Sequence, residues 1–134
     1  MANSSRRSSN FRSPLTRSKS LIESMSSSYP LEVSVHEAHR LAKNSAAVKI
    51  IDVREPFERD ICSIAGAEPI PMKQIPENVP TLPRDQHLLI LCHHGGRSMR
   101  VTQFLRAQGF ENVTNIGGGI DAWATEVEPG MAKY

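Results

Sequence analysis

Residues 87–98 read His87-Leu88-Leu89-Ile90-Leu91-Cys92-His93-His94-Gly95-Gly96-Arg97-Ser98. A short run dominated by apolar residues meets a cysteine, two histidines, two glycines and an arginine, and a helical pattern starts at once. The apolar run has the length and character of a strand buried on both faces. Met99, Val101, Thr102 and Leu105 predict a helix over 98–108, with Gly109 as its C′ residue. A buried strand feeding a helix through a glycine loop is half of a βαβ unit. In a parallel sheet the ligand site lies beyond the carboxyl ends of the strands, and Cys92 stands at such an end.

The same alternation extends outward. Leu31-Glu32-Val33 is a candidate strand. Ser34, with Glu37 three residues on, makes a capping box for a helix whose apolar positions are Val35, Ala38, Leu41 and Ala42, ended by Asn44 and Ser45. Residues 48–53 form a second strand buried on both faces, and residues 54–63 read as a polar loop. A brief strand is expected within 67–70. Pro69, Pro71, Pro76, Pro80 and Pro83 then permit at most one short helix, in a segment lying mostly on the surface. Residues 113–116 form a last strand, and Gly117-Gly118-Gly119 turns into a short helix around 121–124. Strands alternating with helices predict an α/β fold of right-handed βαβ units, its parallel sheet covered on both faces.

The chain of 134 residues is sized for one domain, read here as 30–134 after an extension over 1–29. That extension holds 11 serines, five basic residues and one acid, without apolar periodicity, and is expected to be disordered. Its composition also matches a transit peptide, and Met25 is a second candidate start. Its charge of +4 against a net +2 leaves the body at −2, which argues against nucleic acid as a partner. No apolar run approaches the ~20 residues of a membrane span, so no membrane partner is expected. Two cysteines, Cys62 and Cys92, make no disulfide framework. With no secretory apolar segment, a reducing compartment, the cytoplasm, is the expectation.

Cys92 carries the chemistry of this reading. A cysteine reacts as its thiolate, which positive potential favours. The N-terminus of the following helix, a nest of N–H groups permitted by Gly95 and Gly96, and the forked donors of Arg97 all supply it. The alternative is an inert packed cysteine at a strand end. His93 and His94 are expected to shape the pocket mouth or tune its charge; adjacent side chains in a tight loop point apart, so no metal site is expected. Gly117–Gly119 lacks the spacing of a dinucleotide-binding loop and any Walker lysine. Asp52 and Arg54 read as a supporting pair, Trp123 as core, and Cys62 as a thiol without a partner motif.

Four stretches together resemble a known family. Asp52-Val53-Arg54-Glu55-Pro56, then Ile64-Ala65-Gly66-Ala67 followed by Ile70-Pro71, resemble the first two signatures of the single-domain rhodanese-like sulfurtransferases. Cys92-His93-His94-Gly95-Gly96-Arg97-Ser98 resembles their active-site loop, and Gly117-Gly118-Gly119-Ile120-Asp121-Ala122-Trp123 the closing signature. One departure stands before Ile64, where Cys62-Ser63 replaces a frequent Gly-His.

The resemblance implies a rhodanese-like α/β fold, a central five-stranded parallel sheet with helices on both faces. It also implies a Cys92 that carries sulfur as a persulfide, taken from a donor such as thiosulfate and passed to cyanide or a thiol, with a sulfur-carrier protein as a further partner. Backbone N–H groups of His93, His94, Gly95, Gly96 and Ser98 would hold the persulfide anion, Arg97 would orient the loop or meet the donor, and no cofactor is required. Two alternatives belong to other classes: a non-catalytic binding module of the same fold, and a phosphatase of that fold. The phosphatases place five residues between cysteine and arginine, whereas four separate Cys92 from Arg97.

Overall fold

Ser34 ends the first strand, β1 (Glu32–Val33), and caps α1 (Val35–Asn44) by accepting the Glu37 N–H at 3.2 Å. The computed structural model describes residues 29–134, so the readings of a disordered extension, a transit peptide and a Met25 start lie outside the described residues. The second half of the Ser34 capping box is replaced, because Glu37 turns its carboxylate to Arg40. After β2 (Val48–Asp52) comes the first clear departure from the sequence reading. The expected polar loop contains a helix, α2 (Pro56–Ile61). Glu55 caps it, Pro56 pre-sets its first turn, and the Glu58 carboxylate accepts the Glu55 N–H at 2.9 Å. Apolar periodicity misses α2 because it buries a glutamate: Glu58 is 4% exposed, while Phe57 is 66% exposed.

The chain continues through β3 (Glu68–Pro69), a 3₁₀ turn (Met72–Gln74), α3 (Ile75–Asn78) and β4 (His87–Leu91). Then follow α4 (Gly96–Ala107), β5 (Val113–Ile116) and α5 (Gly119–Glu126). The five strands make one parallel sheet in the order β1-β5-β4-β2-β3, with the two-residue strands β1 and β3 at its edges. This is the α/β architecture expected from the sequence. Central β4 pairs Ile90 with Ile51 of β2 on one side and Asn115 of β5 on the other, and all five of its residues are buried.

Alternation along β4 assigns its side chains to two cores. Leu88, Ile90 and Cys92 join Ile51, Val53 and Val113 beneath Val101 and Leu105 of α4 and Ile75 of α3. Leu89 and Leu91 join Ile50 and Ile116 beneath Val35 and Ala38 of α1 and Ile120 and Trp123 of α5. Trp123 is core, as read from the sequence. Each fully buried aliphatic side chain contributes about 1.5–3 kcal/mol, so β4 is a rigid floor from which Cys92 emerges.

Candidate active site around Cys92

Cys92 is the first residue beyond β4 and is 1% exposed. Two donors point at its sulfur: the Gly95 N–H at 3.0 Å and the Ser98 hydroxyl at 3.2 Å. Gly95 makes the first possible by taking φ 106°, a left-handed conformation open to glycine. That turn also starts α4 at Gly96, two residues earlier than the sequence pattern suggested, so the positive helix end lies closer to the sulfur. Ser98 is fully buried inside the first turn of α4, whereas Gly96 and His94 are exposed at the rim.

The glycine turn Gly117–Gly119 lies beside the Cys92 loop. Gly118 and Gly119 have φ 81° and 59°, and the first amides of α5 reach the Cys92 loop. Ile120 N–H donates to the Cys92 carbonyl at 2.9 Å and Asp121 N–H to the His93 carbonyl at 3.0 Å. Peptide planarity then turns the N–H groups of His93 and His94 away from α5. A Cβ on Gly119 would press on both of those carbonyl oxygens, 2.5 Å from that of Cys92.

Arg97 does not project freely from the loop. Its two terminal nitrogens clasp the Glu58 carboxylate, each at 2.8 Å. Glu58 thereby joins the site, a residue the sequence reading left in a polar loop. Its signal was the Glu55-Pro56-x-Glu58 start of α2, readable as a capping box but not as a partner for Arg97. Hydrogen bonding from Arg97 holds the Glu58 carboxyl down at about 2, against the opposing effect of burial. Behind it, Arg54 is fully buried, donates to Asp52 at 2.7 Å and to the Cys62 carbonyl at 2.8 Å, and fastens β2 to α2. Burial opposes its charge, but the bonds to Asp52 and Tyr134 outweigh that and raise its pKa.

Tyr134 is the second unanticipated member. Its hydroxyl donates to Glu58 at 2.8 Å and accepts from Arg54 at 3.1 Å, and its ring stacks on His93 with centroids 3.8 Å apart and planes 8° from parallel. The His93 Nε2–H donates to the Tyr134 main-chain oxygen at 2.9 Å. Burial, then the neighbouring His94, lowers the His93 pKa, which favours the neutral ring.

The expectation that adjacent histidine side chains diverge is overturned. The His93 and His94 rings lie 3.8 Å apart, and ligand atoms of both and of Asp121 fall within 4.8 Å of one another. The trio is thus a compact three-ligand cluster, close enough together for one ion, formed by residues that the sequence reading expected to point apart.

The fold and site together define a class: a parallel α/β domain whose central strand delivers a cysteine to a loop at a helix N-terminus, where the Gly95 N–H and the Ser98 hydroxyl meet its sulfur. The model of the Rhodanese-like domain family matches residues 34–126, and the chain belongs to that family. It is 34% identical over 122 residues to the chloroplastic Rhodanese-like/PpiC domain-containing protein 12 of Arabidopsis thaliana, covering 85% of this chain but 41% of that protein. The chain thus spans less than half the length of that relative. A protein named Sulfurtransferase from Allochromatium vinosum is 36% identical over 95 residues, covering 71% of this chain and 88% of that one. The solved rhodanese-related protein of Thermoplasma volcanium superposes with a TM-score of 0.66 at 34% identity, covering 73% of this chain and 94% of that one.

Proposed function

We propose that this protein is a sulfurtransferase working through a Cys92 persulfide. The observation that carries the reading is the pair of donors, Gly95 N–H and Ser98 Oγ–H, aimed at a buried Cys92 sulfur in front of α4. The kinship with a named sulfurtransferase that the chain matches over most of its length supports it.

With thiosulfate as donor, the Cys92 thiolate attacks the outer sulfur, a new S–S bond forms, and the bond to the sulfonate sulfur breaks. Sulfite leaves with the electron pair, and the terminal persulfide sulfur keeps the negative charge. An acceptor nucleophile, cyanide or a thiolate, then takes that sulfur and returns the Cys92 thiolate. One difficult transfer is split into two. The loop N–H groups and the helix end stabilise the anion in both steps. Arg97, clasped by Glu58, orients the far end of the loop. In a cytoplasmic setting, the acceptors are small thiols or a sulfur-carrier protein.

Mass spectrometry after thiosulfate treatment tests the reading directly. The peptide containing Cys92 gains one sulfur, and Cys92→Ser abolishes both that gain and thiocyanate formation while leaving the fold intact. Cys62→Ser retains most of the activity. Equal loss in both cysteine variants overturns the single-cysteine mechanism, and aryl-phosphate hydrolysis that disappears in Cys92→Ser overturns the sulfur assignment.

A further inference from the structure

The contacts of Tyr134 go beyond holding a chain segment in place. Its ring lies on His93, the residue next to Cys92, and its hydroxyl reaches Glu58, which clasps Arg97 at the other end of the same loop. One side chain therefore ties both ends of the catalytic loop together. Lys133 and Tyr134 share one crevice with His93 and Asp121.

The fastening is reversible by construction. The segment's backbone follows α5 as far as the Met131 N–H bond to Glu128, at 2.9 Å. Further along it is held by Lys133, which reaches Thr125 at 2.7 Å and Asp121 at 3.5 Å, and by the polar and stacking contacts of Tyr134. Tyr134 is still 37% exposed, so water can take over its hydrogen bonds when it swings out. Removing the ring takes the stacked partner from His93 and the phenol donor from Glu58, while the Arg97–Glu58 pair keeps its own two bonds.

We propose that Tyr134 is a specificity-determining gate over Cys92: closed, it passes small anions and compact thiols, and it must lift off His93 before a bulky thiol can reach the sulfur. The inference rests on Cys92 as the reactive group of the proposed function, and the apparent reactivity of a gated thiol toward a large reagent scales with the fraction of molecules that are open.

Two measurements on the full chain in a Cys62→Ser background test the gate, with Tyr134→Ala and Tyr134→Phe as variants. In the first, Cys92 is alkylated by iodoacetamide and by a pyrene-bearing maleimide. Tyr134→Ala accelerates the maleimide about tenfold, the factor that 1.4 kcal/mol of closing energy produces, and iodoacetamide less than about twofold. Tyr134→Phe, which keeps the ring but loses the hydroxyl bonds, falls between. Equal acceleration of both reagents, or of neither, overturns the gate. In the second, thiosulfate is the donor, and the ratio of kcat/KM for glutathione to that for cyanide rises in Tyr134→Ala; an unchanged ratio also overturns the gate. The alkylation result stands whether or not sulfur transfer occurs, so failure of the gate and failure of the sulfurtransferase reading are separate outcomes. Melting curves identify any variant that has lost its fold, and Tyr134→Phe then carries the comparison.

Discussion

A carboxylate as buried as Glu58 would ordinarily take up a proton, and it stays charged because Arg97 meets both of its oxygens while Glu55 N–H and the Tyr134 hydroxyl add two more donors. Its pKa of about 2 lies below the ordinary 4.5, so between those values the unfolded chain binds more protons than the folded one. The stability it contributes is fully present above about pH 4.5 and is lost as pH falls toward about 2. Glu58→Gln should therefore flatten the acid limb of a plot of melting temperature against pH. It should also cost roughly 1–3 kcal/mol at neutral pH by leaving Arg97 without its charged partner. An acid limb identical to that of the native protein would show that the pair does not govern acid stability. Residue by residue, the site was legible where its chemistry is local in sequence. Cys92, Gly95, Arg97 and Ser98 announce themselves within seven positions. Glu58 lies 39 residues from Arg97, and Tyr134 lies 76 from Glu58, and nothing in either neighbourhood names its partner.

Elements were legible where burial writes a period. β4, β5 and α4 follow apolar alternation or helical spacing, and their bounds came within a residue or two of the sequence reading. α2 was missed because its inward residue is charged and its apolar residues face solvent, the reverse of the pattern that periodicity detects. The junction of α5 with the Cys92 loop supplies the next prediction. Gly119→Ala places a methyl against the carbonyls of Cys92 and His93 at a left-handed backbone position. It should cost about 2–4 kcal/mol and lower sulfur transfer further than stability alone explains, because the loop carbonyls must move. Gly96→Ala is the control: its Cβ meets nothing within 4 Å, so stability should hold or rise by about 0.5 kcal/mol. Thermal melts and turnover of the two variants together check the junction; equal effects would mean that α5 does not brace the loop.

At the scale of the whole molecule, the described residues are closed on themselves at their start. Arg106 reaches the carbonyls of Tyr29 and Pro30, each at 3.0 Å, and Thr114 donates to Pro30 at 2.8 Å, fastening the approach to β1. Deleting residues 1–28 should consequently shift the melting temperature by no more than about 3 °C and leave turnover unchanged. A large fall on truncation would mean that those residues pack on the domain. The borders of the sheet have a different consequence, one for behaviour in concentrated solution. β1 and β3 pair over two residues each, and β3 consists of an exposed glutamate and a proline that has no amide hydrogen. A foreign strand arriving at either side finds almost no row of backbone donors and acceptors to copy. Among the described residues, growth of fibres by strand addition is thereby discouraged at both borders, and helices and loops are left as the broader surfaces for assembly.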